Sequence, residues 1–270
     1  MRTVLFNAMG AGIGDILCLL PIVENFVDRN YKTTILVSNK ILKQCKNLFK
    51  SEYFNYGNCF EFIGFEDFVK EDYTYVFDLS KVPRLKEINK DSNLNRTDIY
   101  ADLCGIVLNR KHKLVTVNNN LPKEKSVFIS QGSTDPKRKL SNTKVINLIN
   151  TFKDSYTVYY HEINDLKTEE NENVINTTDW SLKEMLEAII VSEFIITTDN
   201  LIMHLAGVFG IKTYALFTSY LEKDRSTYYK TVNSISRNIN CLGCLHTVCE
   251  YKFKCLNLDT KKLVERIQTE

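Results

Sequence analysis

The sequence predicts an α/β fold made of two successive parallel-sheet units. Short apolar runs alternate with helix-length segments along most of the chain. The alternation halts at a polar, proline-containing stretch, Asn118-Asn119-Asn120-Leu121-Pro122-Lys123, and restarts at Ser126. From Phe194 to Phe217 the order is strand, polar turn, helix, glycine, strand, which is the grammar of a parallel sheet. The boundary is placed so that 1–121 form an N-terminal unit and 122–270 a C-terminal one.

The elements follow in order. Thr3–Asn7 is a first strand. Gly10, Gly12 and Gly14 form a loop that lets the backbone turn sharply and approach a ligand. Asp15 caps a helix over Ile16–Val27, which Pro21 is expected to bend. The dinucleotide fingerprint G-x-G-x-x-G is not met, and no acidic residue ends the second strand, Thr33–Ser38. Helices are expected over Ile41–Phe49 and Thr97–Val107, and strands over Phe60–Phe65 and Thr74–Leu79.

In the second unit Ser126–Ser130 is a strand, Gln131-Gly132-Ser133 begins a turn, and Asp135–Lys139 is a basic loop. Ser141 and Asn142 cap a helix to Phe152, and Tyr156–Tyr160 is a strand ending in His161-Glu162. A polar connection spans Asp165–Asn173. Ser181 and Glu184 fit a capping box that opens a helix to Val191. Asp199 and Asn200 cap a short helix with Leu201, Met203, Leu205, Ala206 and Val208 as its apolar positions. Gly210 ends it before the strand Thr213–Phe217. A last helix over Asp259–Ile267 belongs to the second unit, with packing back onto the first left open.

Composition bounds the function. At 44% hydrophobic and 25% charged residues over 270, the chain is of the soluble globular kind. No apolar run approaches the ~20 residues of a membrane span. The N-terminal stretch lacks the pattern of a signal peptide, so a cytoplasmic protein is expected. A net charge of +2 leaves no footprint for strong nucleic-acid binding, although a local patch stays open. There is no D-x-D metal motif, no phosphate-binding G-x-x-x-x-G-K-[ST] loop and no G-x-S-x-G elbow.

Each candidate residue has a functional and a plain reading. Asp15, at the carboxyl end of a first strand, suits a general base or a simple helix cap. Lys137, Arg138 and Lys139, beside Ser133 and Thr134, suit a diphosphate or a solvated basic loop. Asp199 and His204 stand across a strand-to-helix turn, where helix amides favour a phosphate. A lone helical histidine is otherwise structural. Cys241, Cys244, Cys249 and Cys255 make C-x2-C-x4-C-x5-C, with His246 as a substitute ligand. The spacing suits a structural zinc, two disulfides or packed thiols. The scattered Cys18, Cys45, Cys59 and Cys104 read as buried thiols.

Taken together, these segments resemble glycosyltransferase family 9, the ADP-heptose:lipopolysaccharide heptosyltransferases. Gly12-Ile13-Gly14-Asp15-Ile16 through Leu20-Pro21 is similar to the family's G-x-G-D…L-P segment. Asp199 through Ala206, followed by Tyr214–Phe217, is similar to its D-T-G-x-x-H-L-A segment. The cysteine cluster running into Asp259 resembles the family's C-terminal cysteine segment, and Gly132–Ser141 and Glu162 are weaker matches. The sequence departs at Asn200-Leu201, Leu140-Ser141 and Thr218-Ser219, where the family has threonine-glycine, tryptophan-proline and glycine-proline.

The resemblance implies a GT-B fold, two Rossmann-like domains facing a cleft, and an inverting glycosyltransferase that needs no metal or other cofactor for catalysis. A nucleotide-diphosphate sugar, ADP-linked by preference, would meet Gly12, Gly14, Ser133, Arg138 or Lys139, Glu162, Asp199, Asn200 and His204. Asp15 would be the base, and the acceptor a lipopolysaccharide or other lipid-linked glycan at the inner membrane surface. A DNA base or protein acceptor, and a non-catalytic nucleotide-sugar-binding relative, are the alternatives.

Overall fold

The computed structural model describes residues 2–51, 53–54, 60–82, 95–108, 123–133, 135–162, 171–218, 220–243, 249, 251 and 253–269. Cys59, Thr134, Ser219, Cys244 and His246 lie outside them, as do Asn118–Pro122 and most of the Asp165–Asn173 connection. The chain divides into two compact units, Met1–Asn119 and Asn120–Glu270.

Unit 1 is a four-stranded sheet in the order β3-β2-β1-β4, with β1 at Thr3–Asn7, β2 at Lys32–Leu36, β3 at Phe60–Ile63 and β4 at Tyr75–Asp78. Every pairing is parallel. Helix α1 spans Ile13–Asp28 and continues through Pro21. Its residues Ile16, Leu17, Leu19, Leu20, Ile22 and Val23 are fully buried, and packing on this scale outweighs the hydrogen bond that proline removes. Helix α2 is Asn39–Phe49 and α3 is Arg96–Leu103. The expected extension of α3 to Val107 fails at Gly105, whose φ of 64° lies in the left-handed region that closes helices. Cys45 and Cys104 are buried, and loss of solvation pushes both thiols up to about 12.

Unit 2 is a six-stranded, all-parallel sheet in the order β10-β9-β8-β5-β6-β7. The strands are β5 Glu124–Ser130, β6 Thr157–His161, β7 Val174–Asn176, β8 Ser192–Thr198, β9 Thr213–Phe217 and β10 Val232–Ser236. Counted within the unit, this is the 3-2-1-4-5-6 order of a doubly wound nucleotide-binding fold. The edge strands β7 and β10 escape sequence reading. One is three residues long and the other, VNSIS, is too polar to register as a strand.

Helices α4 (Asn142–Phe152), α5 (Leu182–Val191), α6 (Leu201–Val208) and α7 (Thr260–Thr269) complete the unit. The expected caps hold: Ser141 accepts from the Lys144 N–H, and Ser181 and Glu184 form a reciprocal capping box. Helix α7 contributes to the core of its own unit. Its Leu263 joins Leu148, Ile149 and Phe152 of α4 in the core of unit 2. The chemistry-bearing loops of both units leave the carboxyl ends of their central strands.

Candidate functional site

In an open parallel sheet, chains diverge in opposite directions where the strand order reverses, and the gap so formed receives ligands. In unit 2 that point lies between the carboxyl ends of β5 and β8. Asn200 bridges it: its Nδ2 donates to Ser130 Oγ (3.0 Å) and to the Gly132 carbonyl (3.2 Å). Its Oδ1 accepts from the Ile202 and Met203 N–H groups, at 2.8 and 3.3 Å, and from Thr197 Oγ1 at 3.1 Å. The amide is therefore committed to the protein, and two amides at the start of α6 already have an acceptor. Asn200 is thus the cap of α6, and the helix dipole points at the gap.

Gly132 makes the turn out of β5. Its φ of 135° suits only glycine, and a Cβ there would collide with the Arg138 carbonyl and stand 2.9 Å from Thr198 Oγ1. The loop it begins is drawn back by Gln131, whose Nε2 donates to Asn142 Oδ1 at 2.6 Å and to the Leu140 carbonyl at 3.3 Å. Ser133 Oγ accepts from the Asp135 N–H at 3.1 Å, and Thr218, just past β9, donates to the Lys137 carbonyl. The basic loop is thus tied to the residues that follow β5 and β9.

The cations in it have different fates. Arg138 Nη1 donates to the Asp199 carbonyl at 3.0 Å and lies 3.5 Å from Asp199 Oδ2. Arg225, which sequence reading missed, brings its Nε within 3.7 Å of the same oxygen. Both guanidiniums lie over the Tyr220 ring, at 5.4 and 4.2 Å from its centroid. The Asp199 side chain is 3% exposed, so this carboxylate is an internal anchor for two arginines. Asp224, beside Arg225, has its carboxyl raised by burial, against the smaller lowering effects of a backbone hydrogen bond and of Lys223 and Arg225. Among the described residues no ion pair or hydrogen bond engages the half-buried Lys139 ammonium.

Three buried polar atoms near these strand ends lack a hydrogen bond: Thr198 Oγ1 at the end of β8, Arg138 Nε in the loop, which has only the ion pair to Asp135 Oδ2 at 3.7 Å, and His161 Nδ1 at the end of β6. Such atoms in a folded protein need an explanation, and a bound polar ligand is one. Glu162 follows His161, is buried, and accepts from Asn176 Nδ2 at 3.1 Å. His204 sits inside α6, 4% exposed, with Nδ1 3.0 Å from the Tyr229 hydroxyl. Gly207 makes that contact possible, since any Cβ there would enter the Tyr229 ring.

Burial holds the His161 imidazole below its ordinary value of 6.5. The unfolded chain therefore takes up a proton near that pH which the folded state refuses, and stability falls as pH drops below about 6.5. Urea unfolding at pH 7.5 and pH 5 is expected to show this loss, and His161→Phe to make it smaller.

In unit 1 the reversal lies between β1 and β4, and Asn7 Nδ2 bridges it to Asp78 Oδ1 at 3.0 Å. The loop after β1 carries Gly10, with φ 85°, then Gly12 as the cap of α1 and Gly14 in its first turn. Asp15 Oδ2 accepts from the Gly12 N–H at 3.2 Å, and its Oδ1 lies 3.3 Å from Arg96 Nη1. The structure thus puts Gly12, Gly14 and Asp15 in unit 1 and the other candidates in unit 2.

Cys241 and Cys249 are free thiols, and Cys249 Sγ accepts from the Phe253 N–H at 3.1 Å. Among the described residues no three metal-binding side chains come together. No helix among them is long and apolar enough to cross a membrane.

Neither a family model nor a curated protein matches the sequence. Solved structures match the fold. One is the dodecameric iron-containing heptosyltransferase TibC in complex with ADP-D-beta-D-heptose, at 13% identity and a TM-score of 0.71, over 99% of this chain and 76% of that one. Another is a glycosyl transferase family 9 protein from Veillonella parvula, at 10% identity and a TM-score of 0.69, over 99% and 96%. A third is the E. coli heptosyltransferase WaaC with ADP, at 12% identity and a TM-score of 0.65, over 98% and 99%. The fold is therefore that of the GT-B heptosyltransferases.

Proposed function

We propose that this chain is a glycosyltransferase that moves a sugar, a heptose or a close relative, from an ADP-sugar to a hydroxyl of a lipid-linked or surface glycan. The observation that carries the reading is the reversal point of unit 2. There, among the described residues, no hydrogen bond or ion pair engages the Lys139 ammonium, and Thr198 Oγ1 and Arg138 Nε are buried without a hydrogen bond beside a turn only glycine can make. Structures of this fold have been solved with ADP and ADP-heptose, which supports the donor class.

Lys139 contacts the diphosphate, while Arg138 is held by Asp199 and shapes the loop. Glu162, past the strand beside β5, hydrogen-bonds the ribose hydroxyls, the part an acid takes at that position in such sheets. Asp15 accepts the acceptor hydroxyl's proton as the oxygen attacks the anomeric carbon opposite the departing diphosphate, which inverts the configuration. Lysine and the helix dipole stabilise the charge growing on the leaving group without a metal. Incubation with ADP-heptose, a lipid-linked glycan acceptor and EDTA is expected to release ADP and yield a product of inverted anomeric configuration. Retention of configuration, or ADP release that requires a divalent cation, would overturn this mechanism.

A further inference from the structure

The carboxylate of Asp15 is held on both oxygens, by the Gly12 N–H at one and by Arg96 at the other. Arg96 is the first residue of α3, and its side chain is 6% exposed against 21% for Asp15. Its Nη1 also donates to the Val82 carbonyl at 2.8 Å, past the end of β4. The guanidinium is thus anchored on one side of the unit 1 reversal point and reaches the carboxylate on the other. Tyr100, one turn further along α3, is 1% exposed, and its hydroxyl is pushed up by burial and then by the charge of Asp15.

Helix α3 does not need this arginine to begin. Asn95 and Asp98 already form a complete capping box at its start. Burying a guanidinium to meet a half-buried carboxylate is also a poor route to stability, because desolvation consumes most of the attraction. A pair that gains little stability over apolar side chains, at the carboxylate proposed as base, is explained more simply by orientation.

We infer that Arg96 is the positioning residue for Asp15: it fixes the plane of the carboxylate so that one orientation meets the acceptor hydroxyl. The inference rests on the glycosyltransferase reading above. In the transfer step the acceptor O–H bond breaks and its proton passes to Asp15. The new C–O bond forms at the anomeric carbon, and the old C–O bond breaks with its electron pair leaving on the diphosphate. Arg96 exchanges no proton.

The test compares wild type with Arg96→Lys, Arg96→Gln and Arg96→Gly for kcat, donor KM and melting temperature. A misplaced catalytic group costs on the order of 100-fold, so Arg96→Gln is expected to lose about that much kcat per folded molecule with donor KM nearly unchanged. Arg96→Lys should recover part of the loss, and guanidinium chloride should partly rescue Arg96→Gly. Adding Arg96→Gln to Asp15→Asn should cost little more, because residues acting through one another are not additive. Wild-type kcat in folded Arg96→Gln, or full additivity in the double variant, would overturn the inference while leaving the glycosyltransferase reading intact. A wild type silent with every nucleotide sugar and acceptor defeats that reading, and the positioning role falls with it.

Discussion

Asp15→Asn is expected to lower kcat by about 10²–10⁴-fold, the range general-base catalysis supplies, and to leave donor affinity unchanged. Asparagine keeps the shape of the side chain and can still accept the Gly12 N–H bond. It cannot take the acceptor proton, and it no longer offers Arg96 a charge. The variant should therefore melt somewhat lower, since a buried guanidinium loses its counter-charge. The partial exposure of Asp15 limits that cost. Kinetics normalised to folded protein, beside a direct donor titration, separate the two effects. A kcat near that of wild type would remove Asp15 from the chemistry.

Asp199→Ala is expected to have the largest effect on stability. Arg225 and Asp199 are 7% and 3% exposed, and Arg138 shares the same oxygen. Removing one partner of a buried charge pair costs about 3–5 kcal/mol, because the other charge stays buried without compensation. Arg138 keeps Asp135 Oδ2 at 3.7 Å, so the loss falls mainly on Arg225. Two guanidiniums against one tyrosine ring, without their carboxylate, should also loosen the loop that carries Lys139. Urea unfolding should show the unit 2 transition at lower denaturant, with a smaller shift for the isosteric Asp199→Asn. An unchanged transition in Asp199→Ala would show that the arginines do not depend on it.

The parts of the fold legible in the sequence are those that physical chemistry writes locally. Buried parallel strands read as apolar runs, and α5 announced itself through Ser181 and Glu184. The edge strands β7 and β10 were not legible, because polar, half-exposed strands depend on their neighbours. At the site, Gly132 and Asp199 stood out by their place after strands, and Asp15 by its place after glycines. Arg96 and Arg225 did not, since each reaches its carboxylate from an element distant in sequence. The choice between Arg138 and Lys139 was equally closed to sequence reading. It turns on Asp199, which lies 61 residues beyond Arg138 and claims its guanidinium.

The proposed activity requires that unit 2 hold a nucleotide sugar through Lys139 rather than through a metal. Calorimetric titration of ADP-heptose into the protein in EDTA, with UDP-, GDP- and CMP-sugars alongside, tests this directly. The expected result is saturable binding that favours the ADP-sugar and that Lys139→Met weakens by at least about tenfold without changing the melting temperature, as expected for a charge-assisted contact worth about 1.5–3 kcal/mol. A folded protein that binds none of these sugars, or a Lys139→Met variant that binds as the wild type does, would contradict it.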